Sequence, residues 1–123
     1  MSVYDVILKR RTIRRFQQRE IPLTILKKLV NAARLAPSGA NLQPLHYVIV
    51  NDKNLCDKVF EATKWAGYLT PPWRPSENER PVAYIIILIR DVNDPYYQRD
   101  MGLASSSYNT GSRRRRNWKL HNM

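Results

Sequence analysis

The stretch Leu35-Ala36-Pro37-Ser38-Gly39-Ala40-Asn41-Leu42-Gln43-Pro44, followed at once by the apolar run His46-Tyr47-Val48-Ile49-Val50, constrains the chain more than any other. A helix has to stop before Pro37, because proline lacks the amide proton and its ring disfavours helical backbone in the preceding residue. Pro44 then delivers the chain into a strand. Between them the loop offers the Ser38 hydroxyl, the Asn41 and Gln43 amides and the bare backbone of Gly39. These neutral groups both donate and accept, so the expected guest is a planar, hydrogen-bonding heterocycle rather than a metal ion. An ordinary helix-to-strand connection is the alternative.

Upstream of the loop, Ser2 is placed to cap a helix with Val3, Val6 and Ile7 on its apolar face and Asp5 near its positive end. Lys9, Arg10, Arg11, Arg14 and Arg15 then crowd around Thr12 and Ile13, ahead of Phe16. In an extended segment, side chains at alternate positions share a face, so Arg10, Thr12 and Arg14 would point at a common anion. A solvated basic surface strand is the competing reading. A second helix is expected from Thr24 as cap, with Ile25, Leu26, Leu29, Val30 and Ala33 in the core.

Downstream, His46–Val50 reads as a strand covered on both faces, and Asn51–Asn54 as a turn and helix cap. A helix from Leu55 to Trp65 should turn Leu55, Val59, Ala62 and Ala66 inward, with Cys56 as a small packing residue. The Pro-rich stretch from Gly67 to Arg80 is an irregular excursion, and Val82–Ile89 is the most strand-like run, apolar throughout and therefore central. Helices alternating with strands in this way make a mixed α+β layered domain.

At 123 residues there is room for one core. No apolar run is long enough to span a bilayer, the N-terminus has no secretory signal, and membrane association is not expected. The single cysteine excludes an internal disulfide, and two histidines argue against zinc, so a reducing cytoplasm is the expected compartment. The formal charge of +11 would suggest a polyanionic partner. Much of it lies in residues 105–123, where Arg113, Arg114, Arg115, Arg116 and Lys119 stand with no acid.

The motifs Arg10-Arg11-Thr12-Ile13-Arg14-Arg15-Phe16 and Ala36-Pro37-Ser38-Gly39-Ala40-Asn41-Leu42-Gln43-Pro44, one helix apart, resemble the N-terminal part of the nitroreductase family. Asp100-Met101-Gly102-Leu103-Ala104 is a third, weaker signature, and the similarity covers residues 1–104. The resemblance implies an α+β layered fold that binds FMN in a homodimer, with the flavin at the subunit interface. Carried over, Arg10 and Arg11 approach the phosphate and ribityl side, Thr12 donates a hydroxyl, and Arg14 lies near the N1 edge of the flavin ring. Pro37, Ser38, Gly39 and Asn41 contact the flavin of the neighbouring subunit, and Gln43 supports the loop. NAD(P)H is implied as electron donor, in ping-pong order with a small-molecule acceptor such as a nitroaromatic or quinone. No catalytic side chain is implied, because the cofactor carries the chemistry.

After Ala104 the chain leaves the family pattern, which expects a long apolar helix and a Gly-rich turn. Read one base later, with synonymous codons chosen to suit, Ser105–Met123 translates into such a helix, a Gly-containing turn and the start of a strand. Residues 105–123 are therefore expected to be a frameshifted, disordered basic tail on a truncated domain. The alternative is a small nucleic-acid-binding protein using Arg10–Arg19, Arg113–Arg116 and a stacking Trp73 or Trp118. The apolar strands argue against it, because they need a larger fold, and nucleic acid is not the expected partner.

Overall fold

The computed structural model describes residues 2–113, with side chains as far as Ser107. Its elements are α1 (Val3–Lys9), α2 (Leu23–Arg34), β1 (Leu45–Val50), α3 (Lys53–Ala62), β2 (Tyr84–Ile89) and α4 (Tyr97–Arg113). Short 3-10 turns occupy Gly39–Asn41 and Glu77–Glu79. The strands pair antiparallel from Leu45 opposite Ile89 to Val50 opposite Tyr84, and α2 packs along α4. Val6, Leu26, Ala33, Val50, Cys56, Phe60 and Ala104 are the buried apolar core. Among the described residues no helix is long and apolar enough to cross a membrane.

Local chemistry accounts for the helix starts. Ser2 and Asp5 form a reciprocal capping box at α1, and the Asp52 carboxylate accepts from the Leu55 amide at 3.0 Å to begin α3. The expected Thr24 cap is not used: α2 begins one residue earlier, directly after Pro22, with no side-chain cap bond. Pro22 takes the cap position in non-helical backbone, and its carbonyl accepts from the Ile25 and Leu26 amides at 2.9 and 3.3 Å.

The core of α3 differs from the expected phase. Cys56 and Phe60 are buried, whereas Leu55 is exposed and Ala62 ends the helix on the surface. The larger ring decides which face turns inward. Phe60 lies between the guanidinium groups of Arg74 and Arg80, at 4.5 and 4.2 Å from the ring centre, with Trp65 packed beside it at 5.9 Å. Cys56 behaves as a packing residue, its thiol donating to the carbonyls of Val50 and Val82 at 3.6 and 3.4 Å.

One face of the strand pair is covered only toward its Val50–Tyr84 end. His46, Val48 and Leu88 share one face of the ladder and are exposed, while the residues opposite them in the pleat are half-buried. An apolar run alone does not reveal whether a second layer exists to cover it. Val3 and Ile7 of α1 are likewise exposed, and only Val6 of the expected trio is buried.

The basic segment after α1 is not a ladder strand. It is strapped to the Pro-rich excursion through the Phe16 amide, which donates to the Glu79 carbonyl at 3.0 Å, and the Gln18 side chain, which donates to the Arg80 carbonyl at 2.8 Å. Arg15 adds an ion pair to Glu79 at 3.5 Å.

The boundary drawn at Ala104 falls inside α4, which runs on to Arg113. Serines seldom favour a helix interior, but here Ser105 donates to the Met101 carbonyl at 2.9 Å and Ser107 to that of Leu103 at 3.0 Å. Residues 114–123, on which the rest of the tail expectation falls, lie outside the described residues.

Two outcomes follow. Phe60→Ala should lower the unfolding free energy by about 3–5 kcal/mol, while Leu88→Thr should change it by less than about 0.5 kcal/mol, as read by urea denaturation. Burial also pushes the Cys56 thiol above its ordinary 9.0. Above that pH the unfolded chain releases this proton before the folded one does, so the contribution of Cys56 to stability falls as pH rises. A Cys56→Ala variant should show a flatter decline in melting temperature between neutral and strongly alkaline pH.

Candidate functional site

The loop after α2 is held in a single shape by its own hydrogen bonds. Leu35 closes α2 in helical backbone, and Pro37 and Ser38 then turn the chain away. Ala40, Asn41 and Gln43 adopt left-handed backbone, with φ of 51°, 54° and 49°. Such angles cost a residue with a Cβ on the order of 1 kcal/mol, so neighbouring contacts have to hold the turn. The Asn41 amide donates to the Ser38 carbonyl at 2.9 Å, and the Leu42 amide to the Gly39 carbonyl at 3.2 Å.

Both ends of the loop are tied to distant elements. At its start, the Asp100 carboxylate of α4 accepts from the Ser38 hydroxyl at 2.8 Å and the Gly39 amide at 3.1 Å. At its end, the Arg90 amide donates to the Pro44 carbonyl at 2.9 Å. The Ser38 oxygen also accepts from the Gln43 amide at 2.9 Å, so one hydroxyl bridges the carboxylate and the far side of the loop. Gly39 is required by a close approach: an added Cβ would fall against the ring of Tyr96, 2.6 Å from the Cβ of that residue. Tyr96 is itself fixed by its amide donating to Asp94 at 2.7 Å.

The site residues divide into two groups. Ser38, Gly39 and Gln43 are joined in the hydrogen-bonded loop, with Pro37 at its entrance and the exposed Asn41 at its tip. Pro37, Ser38 and Gln43 also line a cavity of about 220 Å³ with Ala33, Tyr47 and Asp100. Arg10, Arg11, Thr12 and Arg14 lie on the separate segment strapped to Glu79 and Arg80.

Within the basic group the cations differ. Arg11 turns back onto α1 and donates to the carbonyls of Leu8 and Arg10, both at 2.8 Å, which satisfies the helix C-terminus. Arg15 is committed to Glu79 and stacks over Trp73 at 5.5 Å. Arg10 and Thr12 are exposed and Arg14 is half-buried. Sequence reasoning noted Asp100 as part of a motif but gave it no role. It stands in the first turn of α4, in the run Tyr97-Gln98-Arg99-Asp100. Tyr96 and Arg90 carried no signal, because their contacts depend on chain segments roughly 50 residues away.

A profile described as the nitroreductase family matches residues 7–107. A Methanothermobacter thermautotrophicus protein whose name gives NADH dehydrogenase/NAD(P)H nitroreductase is 30% identical over 86 residues, covering 70% of this chain. The chain spans 41% of that relative's length. The FMN-dependent nitroreductase structure from Clostridium difficile R20291 superposes with a TM-score of 0.73 at 22% identity, covering 92% of this chain and 56% of that one. A structure of oxidized iodotyrosine deiodinase bound to FMN and 3-iodo-L-tyrosine superposes with a TM-score of 0.64 at 25% identity, covering 89% and 67%.

Gly39→Ala tests how closely the loop is fitted to Tyr96. The variant should lose about 1–3 kcal/mol of stability in urea denaturation, with the Tyr96 ring resonances displaced in NMR spectra.

Proposed function

Because the chain belongs to the nitroreductase family, we propose that it is built to hold FMN and to serve an NAD(P)H-driven oxidoreductase as a homodimer. The observation that carries this reading is the pinned Ser38–Gln43 loop. Its Gly39, Asn41, Leu42 and Gln43 amides are spent internally, which leaves the Asn41 and Gln43 side chains exposed as outward polar groups. Neutral amides on a stiff loop suit the donor and acceptor edge of a flavin ring. The basic segment suits the other end of the same ligand, since a guanidinium is a strong partner for a phosphate. Both chemistries that FMN requires are therefore present in these residues.

Of the four residues on the basic segment, Arg10, Thr12 and Arg14 are assigned to the flavin, with Arg14 near the ring edge. Arg11 holds α1 and takes a lesser part. Pro37, Gly39, Asn41 and Gln43 are assigned to the flavin of the neighbouring subunit, and Ser38, whose hydroxyl is engaged by Asp100 and Gln43, to the loop that presents them. The two groups lie on different segments of the chain, one after α1 and one after α2, an arrangement compatible with such sharing. When bound, FMN supplies the two-electron chemistry, passing electrons from NAD(P)H to a nitroaromatic, quinone or similar acceptor in ping-pong order. The protein's part is to bind it, orient it and set the charge at its edge. Similarity to the deiodinase structure favours a second reading for the acceptor, a halogenated aromatic ring.

Titration of the chain with FMN should quench flavin fluorescence, and the visible flavin band should sediment with a dimer in analytical ultracentrifugation. Arg14→Gln should weaken FMN binding about tenfold, the effect of losing one charge-assisted hydrogen bond. Arg11→Gln should leave the affinity nearly unchanged and reduce helicity at α1. Unquenched FMN at high protein concentration would overturn the proposal.

A further inference from the structure

We infer that Asp100 is the positioning residue of the Ser38–Gln43 loop, setting FMN affinity through Ser38 and Gly39 without touching the flavin; the inference rests on FMN being the guest of that loop. Asp100 is 2% exposed. A carboxylate buried so completely is costly unless it is hydrogen-bonded. Here both oxygens are used: Oδ2 accepts from the Ser38 hydroxyl and Oδ1 from the Gly39 amide.

The direction of these bonds fixes the role of Ser38. The Ser38 hydroxyl is the donor in its bond to Asp100, so its single proton points inward. The Ser38 oxygen is thereby left as an acceptor, and the Gln43 amide fills it. Ser38 has no hydroxyl proton left to offer a guest. Its contribution is to transmit the position of α4 across five residues of loop, to the Gln43 amide. Bonds chained in this way polarise one another, so the Asp100–Ser38–Gln43 series holds the left-handed backbone at Ala40, Asn41 and Gln43 as a unit.

Asp100 is anchored independently of the loop. It sits in the first turn of α4, where its own amide donates to the Tyr96 carbonyl at 3.0 Å. Tyr96 packs against Gly39 from the same helix start. The start of α4 therefore grips the loop twice, once by charge and once by shape, and the outward Asn41 and Gln43 side chains inherit their placement from it.

The test compares the full chain with Asp100→Asn, Asp100→Ala, Ser38→Ala and the Ser38→Ala/Asp100→Ala double variant. Amide hydrogen exchange at residues 39 and 43, FMN affinity by fluorescence quenching and melting temperature are measured for each. Asp100→Asn should speed exchange at both amides about tenfold or more and weaken FMN binding by a similar factor. In the double variant the loss of affinity should be no greater than in Asp100→Ala alone, whatever the melting temperature does. A merely structural role would lower the melting temperature and leave the two affinity losses additive, which overturns the inference. Unchanged exchange or unchanged affinity in Asp100→Asn overturns it as well. If Asp100→Ala fails to fold, the near-isosteric Asp100→Asn and the loop variant Ser38→Ala carry the test. Should the unmodified chain bind no FMN, the flavin reading itself falls and takes this role with it; equal binding by the unmodified chain and Asp100→Asn sinks the positioning role alone.

Discussion

A buried carboxylate has to be satisfied wherever it lies, and in this chain that requirement joins two segments more than 60 residues apart in sequence. Asp100 needs donors, and Ser38 and Gly39 supply them. The loop, for its part, needs an anchor, because three of its residues hold backbone that is unfavourable in isolation. Each side removes the other's cost. The packing of α2 along α4 brings the partners within reach, and Ala33 and Ala104, both small and buried, allow close contact on either side.

A second cluster stabilises the opposite part of the molecule by different means. Trp73 accepts the flat face of Arg15 and Phe60 those of Arg74 and Arg80, with Trp65 packed beside Phe60, so charged side chains complete a core that aliphatic residues alone would leave small. Glu79 and Glu61 neutralise two of those cations, Arg15 and Arg74, at the surface. The basic segment is thus tethered at Arg15, Phe16 and Gln18, directly after Arg10, Thr12 and Arg14. Part of the high positive charge of the chain is accordingly spent on stacking rather than on a ligand.

Much of this was legible in the sequence where the signal is local. Ser2, Asp52 and the Pro37 break act within three or four residues, and the structure uses all three. What could not be read was set by distance. The phase of α3 turned on Arg74 and Arg80 enclosing Phe60, and the role of Asp100 turned on a loop far upstream. The coverage of the strands depended on layers that no property of the strands themselves encodes. Arg11 turns back onto the carbonyls of Leu8 and Arg10, contacts that its motif position alone does not reveal.

The two-stranded sheet has a consequence for how the chain behaves among other copies of itself. Each strand has one hydrogen-bonding edge without a partner strand among the described residues, and Ile85-Ile86-Ile87-Leu88-Ile89 carries no charge, glycine or proline. Short segments of this kind readily template cross-strand growth. Arg90 stands at the end of the run as a gatekeeper whose charge opposes stacking of identical chains in register. The formal net charge of +11 opposes the approach of identical edges, and added salt screens that repulsion.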